Sequence, residues 1–190
     1  MAIVWAIGVG IGLAALAGLR PIIPLAVFIL FARLGWAWGF KVQGTPMDWF
    51  HSVAAVAVLL ALIILEIILT RTNRSLARVD TRLQLPLAII IGALVFVATL
   101  SGEFSSNWRW LALAAGVVLA LLGTYVHTGL AITGGGKDPG PALDFTVVIL
   151  SVLMMLVPPA GYLLLLLVLW LALRVRRLKR MKYKGLRVLA

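Results

Sequence analysis

The chain consists of long apolar runs separated by short segments rich in glycine, proline and charge. The longest runs cover residues 53–69, 85–100, 111–126 and 145–173. A lipid hydrocarbon core of about 30 Å requires roughly 20 apolar residues in a helix, so runs of this length are typical of membrane spans. The pattern therefore predicts an all-α protein, a polytopic bundle of transmembrane helices.

Two shorter apolar stretches stand at the start of the chain, on either side of Arg20 and Pro21. The first carries Gly8 and Gly12, a spacing that lets helix backbones approach closely, so we expect this helix inside the bundle. Pro21 ends it, because proline lacks an amide donor and disfavours helical geometry in the preceding residue. The second stretch, 21–34, is about 21 Å long as a helix. It forms either half of a re-entrant hairpin or a short span.

Two further breaks are predicted in the second half of the chain. Glycine and proline disfavour helix interiors by about 1 and 3 kcal/mol relative to alanine. Three consecutive glycines open the first of these breaks: Gly134, Gly135 and Gly136. Pro158 and Pro159 form the second, because an unbroken helix over 142–173 would be about 48 Å long. We expect two short helices there, joined by a sharp bend.

Basic residues predict the orientation. Four arginines lie in segment 71–82, which is read as a loop, and eight of the seventeen basic residues lie in 174–190. Cytoplasmic segments carry an excess of lysine and arginine. Placing both segments inside predicts about seven helices, with the N-terminus outside and the C-terminus in the cytoplasm. One transmembrane domain, 1–176, is then followed by a basic cytoplasmic tail, 177–190, in the inner (plasma) membrane.

The order of the elements suggests an internal structural repeat. A small-residue helix, a glycine or proline break with a charge, and two apolar segments occur in both 1–70 and 110–175. Duplicated halves with broken helices are a recurring plan of small transporters, in which the break lies at the substrate site. Two unrelated halves are the alternative, because their sequences share little identity.

Composition agrees with a membrane protein and excludes several kinds of chemistry. Apolar residues make up 63% of the chain, against roughly 45–50% in soluble domains. The absence of cysteine excludes disulfides and thiolate metal sites. His51 and His127 are predicted near opposite ends of their helices, which argues against a haem held by both. We therefore expect no metal and no cofactor.

The net charge of +11 does not by itself indicate nucleic acid. Most of it follows from the basic tail, which lacks the aromatic platform that nucleic-acid binding uses. The sequence shows no paired carboxylates, no HExxH motif and no Ser/His/Asp order. An enzyme is therefore not expected.

Three charged residues fall inside predicted spans: Arg20, Glu66 and Asp144. Charges at such positions are costly and face a bundle interior, a water-filled cavity or one another. The predicted topology locates all three toward the cytoplasmic side, so we expect Arg20 within reach of Glu66 or Asp144, and the cluster to bind an anionic group. The structural alternative is that Arg20 extends to the interface and Asp144 caps a helix.

Several short motifs also suggest a family. They are the segments 18–21, 85–86, 141–156 and 184–189, with Glu66 and Asp80. Together they resemble a family of small bacterial membrane proteins, the domain of unknown function DUF4126. The resemblance covers nearly the whole chain. It implies a multi-helical membrane fold and no established activity.

The predicted function is a small transporter or lipid-handling protein for an anionic small molecule or lipid head group. Its expected partners are membrane lipids, the anionic ligand and a second copy of the chain. The alternative is a structural or accessory subunit that binds other membrane proteins through its glycine faces. A polar cavity near Arg20 favours the first function, whereas dry packing there and an exposed small-residue face favour the second.

Overall fold

The computed structural model describes residues 2–35, 45, 47–72, 77–102, 108–133 and 141–186. Within these ranges the chain forms seven α-helices and one short 3-10 turn, Asp48–His51, and no β-strand. The helices are α1 (Ala2–Ala17), α2 (Ile22–Leu34), α3 (Val53–Thr72), α4 (Ala77–Leu100), α5 (Arg109–Thr133), α6 (Pro141–Leu156) and α7 (Ala160–Leu186). The side chains of 65–72 in α3, 77–83 in α4 and 178–186 in α7 lie outside the described part. The prediction of an all-α protein is confirmed.

Two of the predicted helix breaks occur at proline. Pro21 separates α1 from α2, and Pro158 with Pro159 separates α6 from α7. Helix α5 ends at Thr133 and α6 begins at Pro141. The glycines predicted to open that break, Gly134, Gly135 and Gly136, lie outside the described residues.

The predicted loop over 71–82 is wrong for most of its length. Helix α3 continues to Thr72, and α4 begins at Ala77 rather than near Leu85. The reason is that alanine, arginine and leucine are strong helix formers, so charge alone does not distinguish an exposed helix from a loop. Pro86 lies inside α4, where it removes one backbone hydrogen bond. Residues 174–186 of the basic C-terminal segment likewise continue α7.

Helix α1 is the central helix, as the small-residue pattern predicts. It contacts α2, α4, α5, α6 and α7, and every residue from 12 to 19 is buried. Its contacts with four of these helices are made at glycine residues. Gly8 and Gly12 face the junction of α6 and α7, Gly10 faces α4, and Gly18, just after α1, faces α5.

The contacts along α1 define the direction of the other helices. Asp144, Met154 and Pro158 of the α6 segment lie beside Arg20, Gly12 and Gly8, so α6 runs antiparallel to α1.

Helix α4 is also antiparallel to α1, because its contacts with Gly10 and Ala14 come from Phe96 and Gly92 respectively. Helix α5 is antiparallel to α4 and therefore parallel to α1. Helix α7 begins beside Gly8 and later packs on α5 at Gly129, so the chain reverses at the two prolines. We call the end that contains Arg20 and Asp144 the break end, and the other the opposite end.

One helix of the described part, Arg109–Ala131, is long and apolar enough to cross a membrane by length and composition. Five shorter apolar helices accompany it: Ile3–Ala17, Ile22–Leu34, Val53–Ile64, Gln84–Leu100 and Ala142–Leu156.

The Gly8 and Gly161 contact should be the position least tolerant of a methyl group. A Cβ atom on Gly161 would lie 1.8 Å from the Gly8 carbonyl oxygen, and both atoms belong to regular structure that cannot move independently. We expect Gly161→Ala to destabilise the fold by about 1–3 kcal/mol, as overpacking does. Thermal unfolding in detergent, followed by circular dichroism, measures the loss. The control is Ala114→Val on the exposed face of α5, which should stay within about 0.5 kcal/mol; equal effects would contradict the proposed packing.

Candidate functional site

Arg20 lies in the turn that joins α1 to α2. Its amide donates to the Leu16 carbonyl at 3.0 Å, and the amide of Leu19 donates to the same oxygen at 2.9 Å. These bonds close the last turn of α1. Pro21 then adopts helical angles, φ −65° and ψ −38°, and starts α2 without needing an amide donor.

The Arg20 side chain is largely buried and contacts Asp144. Its Nε atom lies 2.6 Å from the Asp144 Oδ1 atom, with the arginine side chain 13% exposed and the carboxylate 46% exposed. Asp144 stands in the first turn of α6, where the helix dipole favours a negative charge. The prediction that Arg20 lies within reach of Glu66 or Asp144 is confirmed for Asp144, and the cause is the antiparallel packing of α6 along α1.

The contact is a close approach of the Arg20 Nε atom and the Asp144 Oδ1 atom. Neither Nε of Arg20 nor Oδ1 of Asp144 meets hydrogen-bond geometry. Because the carboxylate is half exposed, water screens the attraction, and such pairs contribute about 0–1 kcal/mol. The pair is therefore close, and its contribution to stability is small.

Glu66 and Pro21 are the other predicted site residues near this break. Pro21 is buried beside Arg20. Glu66 lies in α3, but its side chain is outside the described part, so its approach to Arg20 stays a prediction.

Gln84 also lies at the break end, although the sequence pattern did not predict it there. Its Nε2 donates to the Leu19 carbonyl at 3.3 Å, so α4 is attached directly to the turn that carries Arg20. The feature of the sequence that could have indicated this contact is a single amide side chain at the polar edge of an apolar run. Assigning 71–82 to a loop placed Gln84 next to a helix end instead of inside α4.

The two histidines lie on elements at opposite ends of the bundle. His127 is buried in the second half of α5, whereas His51 belongs to the 3-10 turn, near the end where Thr45 accepts a hydrogen bond from Ser101. Among the described residues, no three His, Cys, Asp or Glu side chains come together as metal ligands would.

Residues 7–178 match the family model described as Domain of unknown function (DUF4126). No curated protein and no solved structure shows significant similarity to the chain. The match includes α1 from its second turn, every break and most of α7. The chain therefore belongs to the DUF4126 family.

Proposed function

We propose that this chain is a multi-pass inner-membrane protein that binds an anionic small molecule or lipid head group at Arg20, as a small transporter or lipid-handling protein. The observation that carries the proposal is the Arg20 and Asp144 pair: a mostly buried arginine side chain in contact with a half-exposed carboxylate, between the end of α1 and the start of α6.

The exposed surface supports a membrane location. Helix α6 exposes Phe145, Ile149 and Leu153, and α7 exposes Leu166 and Leu173 along with several neighbours. These residues recur at helical spacing and form continuous apolar stripes. In water such stripes mark interfaces or aggregation sites, whereas a lipid core is a matching solvent for them.

The short lengths of α1 and α6 are compatible with a helix bundle in a membrane. Helices α1 and α6 are 16 residues long, about 24 Å each, and α1 is enclosed by other helices rather than by lipid. The apolar part of α7 ends where the Arg174 guanidinium lies over the Trp170 ring, 5.5 Å from its centroid. An arginine and a tryptophan at this position are typical of a membrane interface.

The distribution of charge supports a cytoplasmic break end. Arg20, Arg174, Arg176 and Arg177 lie toward that end. Arg109 lies at the opposite end between the exposed Trp108 and Trp110. Arg33 is also there, since the second half of α2 packs on the 3-10 turn. The excess of basic residues toward the break end agrees with the positive-inside rule.

Asp144 gives the proposed site a means of release. A phosphate or carboxylate ligand and Asp144 compete for the same guanidinium, and arginine binds both groups in similar geometry. The half-exposed carboxylate can leave for water when a ligand arrives, and it can displace the ligand afterwards. Asp144 therefore tunes the affinity of Arg20 for anions in this proposal.

The accessory-subunit alternative is less well supported. It requires a small-residue face that is free for a partner. In the described part, the glycines of α1, α4, α5 and α7 instead pack against other helices of the same chain.

Substitutions at the pair separate an anion site from a structural contact. With dihexanoyl phosphatidylglycerol and glycerol phosphate as probes, we expect Arg20→Ala to weaken binding at least about ten-fold, because the charged donor is lost. Asp144→Asn should leave binding equal or tighter, because the competing charge is removed. Isothermal titration of the detergent-purified protein measures both, and Arg174→Ala is the matched control at the same end. Loss of binding in Asp144→Asn, or unchanged binding in Arg20→Ala, would contradict the proposal; the two probes distinguish a lipid from a small anion.

The proposed orientation predicts which sites an impermeant thiol reagent reaches in intact cells. The chain has no cysteine, so Ser75→Cys, Lys182→Cys and Asp48→Cys each introduce a single label site. We expect only Asp48→Cys to react, because the 3-10 turn lies at the opposite end and Asp48 is exposed. All three should react after the membrane is permeabilised. Labelling at position 75 or 182 in intact cells would overturn the orientation.

A further inference from the structure

An apolar crevice lies at the opposite end of the bundle, away from Arg20. It has a volume of about 210 Å³ and is partly open to the surface. Its walls come from α1, α4 and α5, and their apolar side chains are Ile7, Phe96, Val97, Leu100, Ala112 and Ala115. An apolar cavity of roughly 150 Å³ already takes up a benzene-sized molecule. The crevice is therefore large enough for a segment of an acyl chain.

The mouth of the crevice carries one positive charge with an unused donor. Arg109 lines it, and the buried Nε of Arg109 has no hydrogen-bond partner in the described part of the chain. Ser101, the other polar residue at the rim, already donates to the Ala98 carbonyl at 2.8 Å. A buried donor without a partner is costly, so a change of the Arg109 side-chain conformation that brings the guanidinium to an outside acceptor is favoured.

The residues beside Arg109 place it at the level of lipid head groups. Trp108 is 54% exposed and Trp110 is 78% exposed, and tryptophan is enriched at the membrane interface. The crevice extends from that level into the bundle between α4 and α5. The site thus matches the layout of a phospholipid: the charged residue lies at the head-group level, and the apolar crevice extends inward where an acyl chain would lie.

We propose that this crevice binds an anionic phospholipid, with one acyl chain against Phe96 and Ala115 and the phosphate on Arg109. A lipid chain gains little by leaving other lipid chains for an apolar wall, so the crevice supplies shape and not affinity. The selection resides in the contact between guanidinium and phosphate, which is charge-assisted. Zwitterionic lipid, whose phosphate is balanced by its own cation, binds more weakly.

This site rests on the proposed membrane location but not on the proposed role of Arg20. The two lie at opposite ends of the bundle and share no residue. The lipid at Arg109 belongs to the outer half of the bilayer in the proposed orientation, whereas Arg20 faces the inner half.

Photo-crosslinking in vesicles tests the site. The full chain is reconstituted with phosphatidylglycerol that carries a diazirine in one acyl chain, or with phosphatidylcholine of the same chains, and the labelled peptides are mapped by mass spectrometry. We expect phosphatidylglycerol to label the peptides with residues 96–101 and 111–115 at least about five-fold more than phosphatidylcholine does. Arg109→Gln should bring that ratio near one, and Arg109→Lys should keep part of it. The matched control is Arg33→Gln, an exposed arginine of α2 away from the crevice, which should leave the ratio unchanged.

Other results would overturn the proposal. Equal labelling by both lipids in the wild type would show an unselective apolar surface. If Arg109→Gln proves aggregated, Ala115→Phe decides, because a monodisperse protein with the crevice filled must lose crevice labelling, and retained labelling refutes the site. Recovery of the protein from the aqueous fraction without any labelling would overturn the membrane location and this site together. The titration with glycerol phosphate tests the Arg20 site separately.

Discussion

Close backbone contact through glycine is the interaction on which the rest of the structure depends. Gly8 meets Gly161 at the turn into α7, and Gly18 meets Gly123 of α5. In the proposed membrane location there is little hydrophobic gain when helices associate, so van der Waals contact at short distance has to hold them together. Small residues allow that distance. They therefore locate α1 at the centre, and the ends of α1 then place Arg20 at one end of the bundle and Ile7 at the other.

The same packing explains why the two polar positions differ in character. At the break end, α1 stops at a proline, and the antiparallel α6 brings a carboxylate to the arginine that follows. At the opposite end, α1, α4 and α5 line the crevice at Ile7, Phe96 and Ala115, and α5 begins with Arg109, whose Nε has no hydrogen-bond partner in the described part of the chain. Arg20 thus contacts a carboxylate of its own chain. Arg109 contacts none among the described residues, which is why we propose it, and not Arg20, for the lipid of the crevice.

The parts of the structure that the sequence predicted are those that depend on strong local preferences of the backbone or on the cost of a charge. Proline and glycine have strong backbone preferences, so the ends of α1 and α6 were predictable. The cost of a charge within an apolar segment was enough to predict an acidic partner for Arg20, but not to choose between Glu66 and Asp144. The start of α4 was not predictable, because arginine and alanine suit an exposed helix as well as a loop. The Arg109 crevice could not be predicted at all. It joins Ile7, Phe96 and Ala115, which are far apart in sequence, and no local pattern links them.

The reversal at Pro158 and Pro159 has a consequence for the order in which the protein is made. The partner of Gly8 is Gly161, so the central helix is synthesised about 150 residues before the surface that completes its packing. Until α6 and α7 are made, the Gly8 and Gly12 face of α1 lacks the surface that covers it, and a chain interrupted before the two prolines cannot complete it. Assembly of the bundle is then completed by its last hairpin, and an unfinished chain differs from the complete one by an uncovered face of its central helix.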